Sequence, residues 1–450
     1  MPVTADKDRK NDSFLPAGSP PSLCLHYINH WRTSVRIVPL LKSAVLPAIL
    51  APGLALATNG YFAHGYGVKS QGLAGVGIAL PQDGLAAATN PAGTAFVGDR
   101  LDVGATWFRP DRGAAIHGNG AGLNGSYDGN DRQNFLIPEI GYVKQLSPSW
   151  AAGVAVYGNG GMNTDYGRNP WRSFGASGSA GVNLEQLFIS PSLVFRVNER
   201  HALGLAVNFA YQRFKAEGIG PFAAASSAPK DFSNRGTDTA TGWGVRVGYT
   251  GRIAPALTVG ATYASKTRTD SFDKYKGLFA EEGGFDVPAN YGLGVAWQAT
   301  RALTLAADVQ RIEYSDVKSV GNSIGLLFAG NAFGTANAPG FGWKDVTVAK
   351  VGISYDIGDW TVRGGYSHAS QPIPQDQTFL NILAPGVIQD HLSLGATWRQ
   401  GRSGELSVAY THGFKKTVKG SGSIPNSYGG GEADIHLSED ILGIAYGWKF

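Results

Sequence analysis

The chain has one cysteine, Cys24, and two methionines in 450 residues. A single thiol excludes a disulfide framework and thiolate metal sites, and the cysteine-free remainder suits an exported protein. Outside the N-terminal region no run of about 18 apolar residues occurs, which excludes membrane-crossing helices. Charge of one sign is also scarce, with a formal net charge of only +4. Residues 1–57 carry most of it, with Lys7, Arg9, Lys10, Arg32, Arg36 and Lys42 against Asp6, Asp8 and Asp12. No basic face for nucleic acid is left. What is abundant is glycine (63 residues), beside aromatics at 11%. Glycine-rich disorder shares that composition, but the regular apolar alternation described below argues against it.

Residues 1–57 read as a leader containing a signal peptide. Arg32, Arg36 and Lys42 precede an apolar run from Ser43 to Leu56 that ends in Ala55-Leu56-Ala57, so cleavage is expected after Ala57. The polar stretch before it is longer than an ordinary n-region, and the next methionine is Met162, which fits a start assigned upstream of the true one. The alternative, a short buried helix, is interrupted by Pro39, Pro47 and Pro52.

The last eleven residues set the environment of the rest. Leu442, Ile444, Tyr446, Trp448 and Phe450 share one face of a period-two strand, and Gly443, Ala445, Gly447 and Lys449 share the other. Such segments recur about fourteen times, at 100–109, 134–145, 149–158, 186–197, 201–214, 241–253, 256–268, 287–299, 302–313, 345–356, 359–370, 389–399, 404–415 and 439–450. Roughly 9–11 tilted residues cross the hydrocarbon of a bilayer, and these segments are long enough. Asp102, Arg246, Asp308, Lys350, Arg363, Arg399 and Glu405 all fall on the non-apolar face, where a lumen tolerates them and lipid does not.

Connections alternate between short turns, such as Asn198-Glu199-Arg200 and Ala254-Pro255, and long loops, such as 110–133 and 314–344. Outer-membrane barrels keep short turns on the periplasmic side and long loops outside. The expected fold is therefore an all-β, transmembrane antiparallel barrel of 14 strands over 100–450, multi-pass in a bacterial outer membrane. Residues 58–99, rich in small residues, precede it with few strand-like runs. The final aromatic resembles the C-terminal signal of such barrels, implying barrel assembly machinery as a partner, with outer-membrane lipid around the barrel.

Gly72 to Gly98 reads GLAGVGIALPQDGLAAATNPAGTAFVG. This resembles the N-terminal hatch of the long-chain fatty-acid transporter (FadL/TodX) family, with Asp83 followed by Asn90-Pro91-Ala92-Gly93. Phe135-Leu136-Ile137-Pro138, Gly342-Trp343-Lys344-Asp345 and Leu383-Ala384-Pro385-Gly386-Val387 with His391 are similar to the family as well. The resemblance implies a monomeric barrel whose lumen is plugged by residues 58–99 as a hatch, and passive uptake of a hydrophobic small molecule, a long-chain fatty acid or an aromatic hydrocarbon. The hatch would be the gate, and the substrate would leave sideways where the third strand kinks. Asn90, Pro91, Ala92 and Gly93 are then gate candidates, since Pro91 stiffens a turn in a flexible segment; an ordinary loop turn is the alternative. Gly153, Gly158 and Gly160 are candidates for the lateral gap, because glycine permits bends and bulges; plain lumen-facing small residues would look the same.

The loops supply capture candidates: Phe222, Phe272, Phe279, Leu327 and Phe328, expected as exposed apolar clusters. Residues 272, 275, 278 and 279 would line one face of a short helix. Packed loop cores are the other reading, and a general porin or an interaction barrel remains the alternative function. Gly120 to Gly125 mimics a dinucleotide fingerprint without strand or helix around it, and Ser227-Ala228-Pro229-Lys230 lacks its companion motifs. Asp128, Asn130 and Asp131 read as loop polarity rather than a calcium site. No enzyme, metal or cofactor is expected.

Overall fold

The computed structural model describes residues 59–450; the leader and its cleavage site lie outside the described residues. Fourteen long strands form the wall. They are β1 (Arg100–His117), β2 (Phe135–Gln145), β3 (Trp150–Asn163), β4 (Gly181–Arg196), β5 (His201–Glu217), β6 (Asp238–Ala254) and β7 (Leu257–Ala264). They continue with β8 (Asn290–Gln298), β9 (Leu303–Ile312), β10 (Val346–Ile357), β11 (Trp360–Ala369), β12 (Asp390–Gln400), β13 (Gly404–Val418) and β14 (Glu432–Lys449). Each pairs antiparallel with the next. β14 closes on β1 from Arg100↔Lys449 to His117↔Glu432, so the sheet has no terminal edge strand. Two short segments, Gly125–Asp128 and Arg268–Thr269, add to β1 and β6 above the wall.

Alternation decides what faces out. Trp243, Leu293, Leu394 and Leu442 are exposed on the outer surface, while Asp102, Arg246, Asp308, Lys350 and Glu405 are buried inside. No helix among the described residues is long and apolar enough to cross a membrane.

Several strands run past their expected ends, and the cause is an inversion of the pattern. On β1 the apolar outer face stops after Trp107 and gives way to Arg109 and Asp111, while Ala114 and Ile116 become the buried residues. β14 does the same in mirror image, with Ile435 and Leu437 buried above the level of Ile441. Above the apolar belt the wall is polar outside and greasy inside, so a search for outward apolar residues ends too early.

The hatch, from Asn59 to Asp99, fills the bore and explains much of the glycine. Wall glycines stand where its backbone touches the barrel. A Cβ on Gly204 would lie 2.3 Å from the Ala92 nitrogen, one on Gly260 2.3 Å from the Ile78 oxygen, and one on Gly365 2.4 Å from the Leu73 carbonyl carbon. Gly395 and Gly72 approach so closely that neither has room for a side chain. Gly365→Val should therefore lower stability by about 1–3 kcal/mol through overpacking against an immovable main chain. Thermal unfolding in detergent checks this, with the outward-facing Tyr366→Val expected to cost much less.

Candidate functional site

The hatch has little secondary structure of its own: single turns at Val68–Gln71 and Ala86–Thr89, then a 3-10 helix at Pro91–Phe96. Asn90 caps that helix, its Oδ1 accepting from the Ala92 amide at 3.1 Å. Its Nδ2 donates to Ile78 O at 2.8 Å, Tyr249 O at 2.9 Å and Thr250 Oγ1 at 3.1 Å. One side chain thus ties two hatch segments to β6. Pro91, Ala92 and Gly93 are buried, with Gly93 packed on Pro81.

Charged wall residues hold the rest of the hatch by its main chain. Asp308 Oδ2 accepts from Gly77 N at 2.8 Å and Ile78 N at 3.0 Å. Glu139 accepts from Gly67 N at 3.2 Å and Val68 N at 3.0 Å, and Asp102 from Gly84 N at 2.8 Å. Lys350 donates to His64 O and Gly75 O, and Arg246 to Thr89 O. The hatch's own Lys69 pairs with Glu405 at 2.5 Å, which also receives Arg100 at 3.0 Å and Lys449. Burial, then Arg100, lowers the Lys69 ammonium from its ordinary range, against the pull of Asp83 and Glu405. Burial, then Asp102, raises the Asp83 carboxyl, with Lys69 and Arg100 opposing. Of these wall anchors Glu139 escaped the sequence reading; its signal is a carboxylate in the midst of an inward-facing row.

The third strand breaks where it meets the hatch. β2 and β3 pair only from Gln145↔Ala151 to Ile140↔Val156, although β3 runs on to Asn163 and stays paired with β4. Beyond Val156 alternation is lost, and Tyr157 to Met162 are all buried. A register shift lies between Gly158 and Gly160. Part of the edge that β2 leaves is taken by the hatch: Gly161 N donates to Tyr61 O and Ala63 N to Asn159 O, both at 2.9 Å, and Phe62 bridges Gly160. Only glycine fits there, since a Cβ on Gly160 would lie 1.9 Å from Tyr61 O. Gly153 is placed differently, inside the regular ladder opposite Val143 and Ser192. Tyr314 clamps the same hatch end, its hydroxyl accepting from the Tyr61 and Phe62 amides at 3.1 and 3.2 Å and donating to Asn59 O. Trp343, from the motif Gly342-Trp343-Lys344-Asp345, packs on Tyr61 and Tyr314. A cavity of about 360 Å³ adjoins this end, bounded by Gly60, Phe108, Gly161, Met162 and Trp343.

Above the hatch the long loops line an apolar chamber, the space between its walls being about 540 Å³ with part of it open to solvent. Phe222 and Phe279 line it with Trp171, Phe214, Ile219, Phe232, Phe333 and Phe341. The loop phenylalanines are thus not exposed clusters, as the sequence led us to expect. Phe222, Phe272 and Phe279 are buried, because loops folded over the mouth cover one another. Phe272 stands one layer back, against Phe214 and Phe279. Leu327 is partly buried against the same core, and Phe328 alone is exposed, its ring edge-on to Tyr428. The expected helix over 272–279 is replaced by separate turns at Asp273–Tyr275 and Ala280–Gly283, and left-handed Glu281 and Glu282 prevent a regular helix. His391 and Ser393 are buried and Leu392 is outside, so the Asp390-His391-Leu392-Ser393 string obeys the strand pattern.

Asp308→Ala removes the acceptor for the buried Ile78 amide and the half-buried Gly77 amide, at about 1–3 kcal/mol for the former and less for the latter. Limited proteolysis of the folded barrel should then cut within residues 72–80, where the unsubstituted protein resists, and Asp308→Asn should fall between the two.

A sequence model of the outer membrane protein transport protein family (OMPP1/FadL/TodX) matches residues 54–450. The long-chain fatty acid transport protein of Salmonella typhi is 24% identical over 417 residues, covering 83% of this chain and 93% of that protein. Its Escherichia coli K12 counterpart is 24% identical over 424 residues, with the same coverage. Among solved structures, the Pseudomonas putida toluene transporter TodX superposes with a TM-score of 0.66 at 20% identity, covering 87% of this chain and 100% of TodX. A Pseudomonas aeruginosa FadL homologue gives 0.65 at 19%, again over 87% and 100%. The plugged fourteen-strand barrel and the match along nearly all of its length lead to one conclusion: this chain belongs to the OMPP1/FadL/TodX family of outer-membrane transport proteins.

Proposed function

We infer that this chain is a passive channel for hydrophobic molecules, long-chain fatty acids or aromatic hydrocarbons, gated by the hatch and emptying sideways into the bilayer. The observation that carries this reading is the pairing of an apolar loop chamber with a wall ladder that opens between β2 and β3. A greasy molecule gains by leaving water for the chamber. Below the chamber the bore is charged and filled, a poor route for such a molecule, whereas lipid outside is a better solvent. Phe222 and Phe279 are the capture residues of this reading, with Phe272 supporting them and Leu327 and Phe328 at the periphery.

In the proposed path the substrate passes from the chamber to the cavity beside Gly60 and Gly161 and then out past β3 at Gly158 to Gly160. Residues Asn59 to Ala63 close that gap with a few backbone bonds, and the Asn90 to Gly93 turn sets how far the hatch can shift. The division of labour is then a leader over 1–57, a hatch over 58–99 and a barrel over 100–450. The barrel works as a monomer in lipid and meets the assembly machinery through β14. The names of the relatives, fatty acid and toluene transporters, agree with a hydrophobic cargo.

Uptake of labelled oleate and of toluene by cells with and without the protein tests the reading. One or both should rise with the protein; faster entry of a polar sugar or amino acid with neither rising would make it a porin. Deleting residues 58–95 should leave a folded but leaky barrel, and unchanged selectivity after that deletion would remove the gate from the hatch.

A further inference from the structure

The loop chamber carries a chemical signature finer than greasiness. No charged side chain is among its lining residues. The hydroxyl of Ser319, on its rim, is already spent, donating to Gly284 O at 2.5 Å and accepting from Ala280 N at 3.1 Å. Trp171 differs. Its ring is fully buried, edge-on to Phe222 at 5.4 Å, and its Nε1–H has no acceptor among the described residues. Buried indole N–H groups ordinarily find a partner. The cation in the neighbouring cavity gives no help to an anion. Arg112 places its five N–H donors on five neutral acceptors: the Asn163 carbonyl and side-chain oxygens, Pro110 O, Asn130 Oδ1 and Arg132 O.

We propose that the chamber is selective for uncharged ligands, hydrocarbons bearing an aromatic face or a single neutral acceptor that meets Trp171 Nε1–H, and that it rejects ionised carboxylates. This rests on the capture role assigned to the chamber above. An ionised head placed there would surrender its hydration for one N–H and no counter-charge, which is strongly unfavourable. A ketone or ester oxygen asks for one donor, and an aromatic ring can take an N–H on its face.

The test uses the full chain in detergent micelles with ¹⁵N-labelled indoles, the Trp171 signal being identified by its loss in Trp171→Phe. The probes are 2-dodecanone, naphthalene, dodecane and dodecanoate at pH 8, with empty micelles as the partition control. 2-Dodecanone and naphthalene should shift the Trp171 signal, and dodecanoate should bind roughly tenfold or more weakly than 2-dodecanone. Trp171→Phe should weaken 2-dodecanone by roughly fivefold and leave dodecane unchanged. Leu278→Lys, which supplies the missing cation on the chamber wall, should raise dodecanoate affinity and keeps the test intact if Trp171→Phe fails to assemble. Dodecanoate binding as tightly as 2-dodecanone to the unsubstituted chain would overturn the selectivity while leaving capture standing. If no probe binds, the capture role falls and the selectivity with it.

Discussion

The structure depends on how a segment with almost no fold of its own is held inside a polar tube. A chain of single turns leaves most of its amide and carbonyl groups unpaired, and each buried orphan is costly. The barrel answers with charged side chains aimed at main-chain atoms. Asp308, Glu139 and Asp102 accept hatch N–H groups, while Lys350 and Arg246 bond hatch carbonyls. Hydrogen bonds to charged groups are worth about 1.5–3 kcal/mol each, roughly twice neutral ones. The same contacts keep the wall charges from being stranded in a closed lumen. Wall and hatch therefore satisfy one another, and neither arrangement is sensible alone.

Glycine is the steric half of that bargain. Side chains between hatch and wall would hold the main chain out of reach of those charges. Wall glycines at 141, 204, 248, 260, 365 and 395 bring backbone against backbone or against the Asn90 side chain. The hatch end at Asn59 to Ala63 is held differently, by backbone bonds to β3 and by the Tyr314 hydroxyl rather than by buried charges. This end lies where β3 parts from β2. Vertical polarity gives direction: apolar inside above, charged inside below, with the strand break between.

Much of this was legible from the residues. Period-two alternation and the rhythm of short and long connections specify fourteen strands, because lipid and lumen impose opposite demands on neighbouring positions. Strand ends are hidden where the pattern changes phase, as at Arg109 and Asp111 on β1. Asn90 stood out as a turn residue before Pro91 and Gly160 as a glycine at the end of a strand, and both hold hatch contacts. Gly153 carried the same local signal but sits in an unbroken ladder, since a bulge depends on what approaches the strand and not on glycine alone. The loop phenylalanines looked exposed because loop-on-loop burial arises from residues more than a hundred positions apart, such as Phe232 against Phe333. Trp171 and Tyr314 have no local signature; their roles come from what the fold brings to them.

Hydrogen exchange of the hatch amides in the folded, detergent-solubilised barrel tests the central claim most directly. Peptides spanning Gly67 to Val68, Gly77 to Ile78 and Gly84 should exchange as slowly as wall strands, and Glu139→Gln with Asp308→Asn should speed the first two while the wall stays protected. Exchange of those peptides at the rate of an unstructured chain in the unsubstituted protein would contradict a hatch held by the charges of its barrel.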